Sequence, residues 1–434
     1  AKSITTVWED VNIGVKEVLK ELKAMGVDFD AVDHKLVCSS AAGGLKMVAI
    51  GLVPDLTAEA AKRAALGAGA KVAKVYCYEL TDTELQEIVD YSPDLILLAG
   101  GTNGGNKEVI MHNARKIAES QLMTPIIVAG NKVVGPKIMK MFRAAKKEAH
   151  LTENVMPQLE RLNIEPVRKA IREVFLNRII YAKGLSKVKE YVGNVIMPTP
   201  SAVMKAAELI AQGTAKERGL GELMVVDIGG ATTDVNSVAV GSPSRGGVTL
   251  RGLEEPYVKR TVEGDLGMRY SASSLVDAIG VNNMLNYVPD EIGEKELMSY
   301  IDKISDDVKY IPCDRQKKEM DYGIAKAATK LAVKRHVGRI KKVYGPFGAG
   351  FVQYGKDLTN LNLMIGTGGV LAFSDNPREI LKNGIYDCKH PEVLAPKEPK
   401  LMLDSEYILS SIGLLADVEP DKALKLAKDN LKNI

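Results

Sequence analysis

Three mainly apolar runs in this sequence end at glycine-rich turns, and they constrain the fold most. They are 95–99 before Gly100-Gly101, 223–228 before Gly229-Gly230, and 361–365 before 366–369. Runs of this kind are typical of strands buried on both faces of a sheet. Helical periods lie between them, for example at 11–25, so the chain is predicted to be an α/β protein with helices on both sides of its sheets.

The length and net charge of the chain limit how many domains and which kinds of partner are expected. A chain of 434 residues is expected to form two domains, or three. The formal charge of +3 gives no reason to expect a nucleic-acid partner. Four scattered cysteines without a C-x-x-C pair indicate a reducing, cytoplasmic setting. No apolar run reaches the roughly 18 residues of a membrane helix, so no membrane association is expected.

The segment 225–235, VVDIGGATTDV, reads as a β-hairpin with functional groups at its tip. Gly229 and Gly230 permit a tight turn with positive φ, whose amides can approach an anion, and the hydroxyls of Thr232 and Thr233 can donate to phosphate oxygens. Asp227 is a candidate to hold Mg²⁺ through its water shell. A plain hairpin with a solvated acid is the alternative for such a short motif.

Two neighbouring segments favour the functional interpretation. Residues 197–209 predict a helix of small residues with Ser201 as N-cap, which could cross another helix closely at a hinge. Residues 361–373 predict a strand that runs into Gly366, Thr367, Gly368 and Gly369, where missing side chains leave room for a flat ring or a phosphate.

In this order, the three segments resemble the connect-1, phosphate-2 and adenosine motifs of the actin, sugar-kinase and seventy-kilodalton heat-shock-chaperone ATPase superfamily. The resemblance implies a duplicated actin-like, ribonuclease-H-like fold with two domains flanking a cleft for ATP and Mg²⁺. It places Asp227, Gly229, Gly230, Thr232 and Thr233 at the phosphates, with Asp227 as the catalytic and metal-organising acid, and Gly366, Thr367, Gly368 and Gly369 at the nucleoside. Residues 407–416 resemble the second connecting helix.

A closer likeness spans nearly the whole chain. The segments 38–52, 97–106 and 355–359 resemble the MutL/GlmL family of accessory proteins encoded beside glutamate mutase and related cobalamin-dependent mutases. The resemblance implies an ATP-dependent chaperone or reactivase whose partners are the mutase subunits, ATP and ADP. A small-molecule kinase of the same superfamily and a non-hydrolysing nucleotide-binding scaffold, including a homo-oligomer, are the alternatives.

The implied domains follow from the motifs. The first actin-like domain is expected at 1–197 with a helical insertion at about 131–190, a connecting helix at 198–213, the second domain at 214–403, and further connecting helices at 404–434. The first domain should open with a D-x-G-S/T phosphate-1 hairpin, which the sequence lacks. The start at Ala1 favours the absence of about twenty preceding residues over a loss of the usual ATP hydrolysis.

Two other glycine clusters receive structural interpretations. The cluster 99–105 is expected to be a strand-to-helix turn, with Asn106 capping the helix, or a counterpart of the adenosine motif. Residues 350–357 nearly match a phosphate loop, but Asp357 replaces the required hydroxyl and would repel phosphate, so a phosphate loop is excluded here. Lys356 and Asp357 remain candidates to face the cleft.

Overall fold

The computed structural model describes residues 1, 3, 10–29, 31–39, 46–68, 71–182, 195–345 and 348–434. Within these residues, the first half contains a five-stranded sheet whose strands are all parallel, in the order β3-β2-β4-β5-β6. Its strands are β2 (Lys46–Gly51), β3 (Lys71–Cys77), β4 (Leu95–Leu98), β5 (Ile126–Val128) and β6 (Ala149–Leu151). Apolar cores lie on both faces, as the runs in the sequence predict.

The helices of this half lie between or beside the strands. Thr81 and Glu84 form the reciprocal capping box expected of a helix start, and the helix α3 begins at the next residue after Thr81. The helices are α1 (Val11–Ala24), α2 (Glu59–Gly67), α3 (Asp82–Tyr91), α4 (Glu108–Glu119), α5 (Gly135–Ala144) and α6 (Glu165–Ala182). A π-helix at Pro54–Ala58 precedes α2.

One strand before this unit and one strand after it in the sequence form a two-stranded parallel sheet. It pairs β1 (Val37–Ser39) with β7 (Val195–Pro198), so the five-stranded sheet is formed by the chain between them. The segment 131–190, predicted as a helical insertion, also contains β6, which extends the sheet beside β5. The sequence pattern did not indicate this strand, because β6 is only three residues long and carries polar side chains. Residues 183–190 of this segment, and 191–194 after it, lie outside the described residues.

The second half contains a six-stranded mixed sheet in the order β11-β9-β8-β14-β15-β16. The predicted hairpin is confirmed: β8 and β9 pair in antiparallel fashion, and β8 is parallel to β14, which is parallel to β15. The strands are β8 (Leu223–Ile228), β9 (Thr233–Val238), β11 (Val258–Glu263), β14 (Leu363–Thr367), β15 (Lys400–Asp404) and β16 (Leu431–Asn433).

A separate three-stranded sheet belongs to the same half. Its strands are β10 (Val248–Arg251), β12 (Arg339–Gly345) and β13 (Gly348–Tyr354), with β13 in the centre. The helices of this half are α7 (Thr199–Gln212), α8 (Ala272–Ile279), α9 (Val281–Leu285), α10 (Glu294–Asp306), α11 (Arg315–His336), α12 (Gly369–Ala372), α13 (Pro377–Leu381), α14 (Leu409–Leu415) and α15 (Pro420–Asn430).

The α/β class is therefore confirmed, whereas the duplicated actin-like fold stays a prediction. The two large sheets differ in strand order and direction, because the first is wholly parallel and the second opens with an antiparallel hairpin. Residues 2 and 4–9, where the first half would begin, lie outside the described residues.

The predicted close crossing of small-residue helices is present between α7 and α14. A Cβ added at Gly413 of α14 would lie 1.8 Å from the carbonyl oxygen of Ala202 in α7, so only glycine fits. The predicted N-cap was wrong by three residues: α7 begins at Thr199 after Pro198, with Pro200 in its first turn, and Ser201 lies inside the helix. Gly213 follows the helix with φ +80°, as expected at a helix end.

Replacing Gly413 with valine is predicted to destabilise the protein by about 1–3 kcal/mol, because the added side chain forces two packed helices apart. Urea unfolding of the full chain measures this change. Gly246→Val is the matched control, since a Cβ at Gly246 meets nothing within 4 Å and its φ is not positive. Equal stability of the two variants would contradict the close crossing.

Candidate functional site

The carboxyl ends of three neighbouring parallel strands converge at one edge of the six-stranded sheet. Asp227 of β8 lies opposite Thr367 of β14, and β15 ends beside them at Asp404. Because parallel strands present their carboxyl ends at the same edge, residues distant in sequence become neighbours here. The site is built around this edge.

The carbonyl groups of the turn after β8 accept hydrogen bonds that hold the turn in place. The amide of Gly229 donates to the carbonyl of Thr232 at 2.9 Å and closes the turn. The three carbonyls of Gly229, Gly230 and Ala231 accept hydrogen bonds from the segment 268–271. In order, Gly229 accepts from the amide of Met268 (3.0 Å), Gly230 from that of Arg269 (2.8 Å), and Ala231 from the hydroxyl of Ser271 (2.8 Å). Neither glycine has a positive φ, so hydrogen bonds from this segment, rather than a left-handed turn, hold the hairpin tip.

This anchoring leaves a row of amide donors. In a trans peptide, the carbonyl and the following N–H point in opposite directions, so the amides of Gly230, Ala231 and Thr232 point away from the anchoring segment. None of the three donates to an acceptor in the described part of the chain. Successive backbone amides of this kind form anion-binding concavities. The turn is thus chemically suited to phosphate through its backbone.

Asp227 is a carboxylate without a hydrogen-bond partner among the described residues. In the hairpin it lies opposite Asp234, whose carboxylate is bound by Arg260 (Nε at 2.8 Å, Nη2 at 2.5 Å) and by the hydroxyl of Thr232 at 3.0 Å. Burial, and then the charge of Asp234, raise the pKa of Asp227 to about 7. A positive charge beside this carboxylate would favour its ionised form.

Asp404 is a carboxylate that the sequence analysis missed. It accepts from the hydroxyl of Thr367 at 2.8 Å, from the amides of Ile408 and Leu409 at 3.0 Å, and from Asn430 Nδ2 at 2.5 Å. The position of an acid at the end of a third apolar strand was the available signal. With its acceptors occupied and no exposed surface, Asp404 fixes the start of α14 and is not free for a ligand.

A cavity of about 490 Å³ opens beside the turn and connects it to the segment after β14. The turn contributes Gly229 and Gly230 to its lining, which also includes apolar side chains exposed to solvent, among them Phe373 at 71% and Ile311 at 76% exposure. Its lining residues are Ile228, Gly229, Gly230, Met268, Arg269, Ile311, Pro312, Lys318, Asp321, Tyr322, Gly369, Val370, Phe373, Ser374 and Tyr407.

The polar wall of this cavity is held by α11. Arg269 makes an ion pair with Asp321 at 2.8 Å, and Asp321 also accepts from Tyr300 at 2.8 Å. Lys318 lies 3.6 Å from Asp375, which accepts from Tyr322 at 3.3 Å. Sequence reasoning missed these residues because they come from α11 and from the loops before α8 and after α12, and none of them forms a recognisable motif.

Tyr407 also lines this cavity, and the charge of Asp227 affects its phenol group. The charge of Asp227, followed by burial, raises the pKa of Tyr407 to about 12. Its backbone has φ +56°, the left-handed region that few residues other than glycine adopt. The hydrogen bonds of Asp404 to the following amides hold this segment in place.

The predicted phosphate residues divide into two groups. Gly229 and Gly230 line the cavity, and Asp227 lies at the adjacent strand end. Thr233 is fully buried, and its hydroxyl donates to the carbonyl of Leu266 at 2.6 Å, so it does not reach the cavity. The hydroxyl of Thr232 donates to Asp234.

The predicted nucleoside residues divide in the same way. Gly369 lines the cavity, and a Cβ there would meet nothing within 4 Å. Gly366 packs against Leu381, and Gly368, at φ +99°, packs against the backbone of Ile228. Thr367 is held by Asp404. These three residues shape the wall behind the cavity.

The expectation that Lys356 and Asp357 face the cleft was wrong. Lys356 is fully buried and donates to the carbonyls of Ala239 at 2.7 Å and Tyr257 at 2.8 Å. Asp357 accepts from the amides of Ser244 and Thr359. Both residues stabilise loops near β9, because the strand β13 carries them away from the turn. The N-cap of α4 is Lys107 and not Asn106 as predicted, although Asn106 Oδ1, one residue earlier, does accept from the amide of Val109 in the first turn at 3.2 Å.

The described residues contain neither a clustered metal site nor a membrane-spanning helix. No group of three or more His, Cys, Asp or Glu side chains is arranged there to hold a metal ion. No helix in those ranges has the length and apolar character to cross a bilayer.

The fold and cavity define a class: a mixed α/β protein with a candidate anion-binding turn at a sheet edge. The family model for MutL protein matches residues 1–431. Protein MutL from Clostridium tetanomorphum is 51% identical over 436 residues, covering 100% of this chain and 94% of that relative. The chain belongs to the MutL family, as the sequence analysis predicted.

Asp227→Asn is predicted to remove a pH-dependent loss of stability. Because the pKa of Asp227 is raised from 3.8 to about 7 on folding, wild type loses stability relative to the variant as the pH rises across this interval. The difference in the free energy of unfolding between wild type and variant is absent below this pH interval. It grows to at most about 4 kcal/mol across the interval and is constant above it. Urea unfolding below, within and above the interval measures it. Asp302→Asn, on an exposed site of α10, is the control, and a pH-independent difference for Asp227→Asn would contradict the raised pKa.

Proposed function

We propose that this chain is an ATP-binding accessory protein that acts as an ATP-dependent chaperone or reactivase of an adenosylcobalamin-dependent mutase such as glutamate mutase. The observation that carries the nucleotide site is that the amides of 230–232 and the carboxylate of Asp227 have no hydrogen-bond partner among the described residues, next to a cavity that Gly229 and Gly230 line. Membership of the MutL family supports the mutase as partner.

The residues present fit ATP and Mg²⁺. The amides of Gly230, Ala231 and Thr232 would hold phosphate oxygens, and the apolar lining residues Val370 and Phe373 would contact the base. Asp227 would organise Mg²⁺ through its waters, since Mg²⁺ takes only one or two carboxylates. When bound, Mg²⁺ would neutralise phosphate charge, and its own positive charge would favour the ionised form of Asp227, whose pKa burial and then the charge of Asp234 raise.

Hydrogen bonds connect this site to the first half of the chain. Arg260 binds Asp234 beside the turn and donates from Nη1 to the carbonyl of Leu66, in the last turn of α2, at 2.8 Å. A change in charge at the turn on hydrolysis would act on this bridge and alter how the two halves meet. This is how the proposed ATPase cycle would reach a bound mutase.

Asp227→Ala is predicted to weaken magnesium-dependent ATP binding by at least about tenfold, because it removes the acid that organises the cation. Isothermal titration of the chain with ATP, with and without Mg²⁺, measures the effect. The control is Asp302→Asn in α10, which lies outside the cavity lining. Unchanged binding in Asp227→Ala, or no binding by wild type, would overturn the nucleotide site.

Gly369→Leu is predicted to block the nucleotide while keeping the fold. A Cβ at Gly369 meets no atom within 4 Å, so the larger side chain enters open space at the cavity wall. We expect ATP affinity to fall by at least about tenfold with an unchanged unfolding midpoint. Gly246→Leu controls for adding a leucine elsewhere. Normal ATP affinity in Gly369→Leu would place the ligand outside this cavity.

Phosphate release and mutase reactivation distinguish the proposed function from its alternatives. Slow, acceptor-free phosphate release together with recovery of inactivated mutase supports the reactivase. Phosphoryl transfer to an added metabolite would replace it with a kinase. ATP binding without either activity would replace it with a nucleotide-binding scaffold.

A further inference from the structure

The three-stranded sheet of β10, β12 and β13 exposes an unusual amount of apolar surface. Five large apolar or aromatic side chains on it are at least 37% exposed, and Tyr344 reaches 80%. They are Leu250, Val343, Tyr344, Phe351 and Tyr354. Single exposed apolar residues need no explanation, but a cluster on one small sheet marks an interaction surface.

The register divides these side chains between the two faces, with Leu250, Tyr344 and Phe351 on one and Val343 and Tyr354 on the other. Phe351 of β13 lies between Val248 of β10 and Lys342 of β12, and Tyr344 follows two residues along β12 on the same face. On the opposite face, Tyr354 lies between Arg251 and Arg339. Each face thus combines aromatic and basic side chains across neighbouring strands.

The charge of this sheet has one sign. Its strands contain Arg251, Arg339, Lys341 and Lys342 and no Asp or Glu. Lys341 lies 5.6 Å from the ring centroid of Tyr354, and Lys342 lies 5.3 Å from that of Tyr344. These cation–π contacts hold the cationic groups over the exposed rings.

We infer that this sheet is a docking surface for a protein partner whose contact surface is acidic and partly apolar. The partner would contact both faces of the sheet: its carboxylates would meet Lys342 beside Phe351 and Tyr344 on one face, and Lys341 and Arg251 beside Tyr354 on the other. Complementary charge sets orientation and speeds association, and buried aromatic residues supply most of the affinity.

Two other occupants fit the observations less well. A second copy pairing through the edge strand β12 would bring Lys341 and Lys342 against the same lysines, and like charges on facing strands are destabilising. A nucleic acid would suit the cations and rings, but it would leave the aliphatic Leu250 and Val343 uncovered, and the whole chain carries only +3.

Binding to purified glutamate mutase tests this surface; the choice of that probe rests on the proposed function. The full chain, wild type or variant, is titrated against the mutase at low and high salt. Lys341→Gln with Lys342→Gln is expected to weaken binding at least about tenfold and to reduce its salt dependence, and Tyr344→Ser to weaken it similarly. Lys295→Gln with Lys309→Gln, on other exposed positions, is the matched control and is expected to change binding less than about twofold.

The outcomes separate this inference from the proposed function. Mutase binding that is unaffected by the sheet variants, or equally weakened by the control, overturns the docking surface alone. A peptide that alternates glutamate with phenylalanine is a second probe, and it should bind wild type and not the Lys341/Lys342 variant. If wild type binds neither probe, the docking surface is overturned, while ATP titration of the same samples reports on the nucleotide site.

Two further measurements decide between the occupants. Binding of a single-stranded oligonucleotide that is lost in the Lys341/Lys342 variant, without mutase binding, would overturn the inference in favour of nucleic acid. Self-association by light scattering that is lost in Tyr344→Ser would overturn it in favour of a second copy.

Discussion

The buried ion pair between Asp234 and Arg260 connects the main parts of this molecule. Arg260 lies on β11 and binds Asp234 on β9, beside the turn that follows β8. It also donates to the carbonyl of Leu66 at the end of α2, and Arg63 of α2 pairs with Glu255 at 3.0 Å nearby. Removal of one member of a buried pair leaves an uncompensated charge, so this bridge constrains both the hairpin and the contact between the halves.

This pairing explains the contrast between the acids at the sheet edge. Asp234 is compensated by Arg260, and Asp404 has its acceptors filled by a hydroxyl, two amides and an asparagine. Asp227 lies beside both without a hydrogen-bond partner among the described residues, and burial among them raises its pKa. A ligand cation is the group whose charge would complete this arrangement.

Much of the fold was predictable from local signals. The hairpin at 223–238, the capping box at Thr81 and the close-packing helix at 199–212 each follow from residue order over a short span. The boundaries were less predictable where short polar strands occur, as in β6, because three residues show no period. The strand order of the two sheets was also beyond local reasoning, since it depends on long-range pairing.

The candidate site was predictable only in part, for a similar reason. Gly229, Gly230 and Gly369 were identified because glycine marks close approach. The sequence could not separate them from Gly366 and Gly368, whose space is filled by Leu381 and by the backbone of Ile228. It also could not reveal that Thr233 donates inward to Leu266, or that Arg269 and Asp321 line the same cavity.

The sequence by itself determined the family, the α/β class and the chemical groups available at each strand end, because these depend on residue identity and local order. The tertiary structure decided which of those groups are free to act. Among the described residues, hydrogen bonds from 268–271 occupy the carbonyls of the turn and leave the amides of 230–232 without acceptors, and Asp404 is satisfied while Asp227 has no hydrogen-bond partner. The structure also leaves the aromatic and basic side chains of the three-stranded sheet exposed. Hydrogen bonds and packing between distant segments make that selection, and no short stretch of sequence contains them.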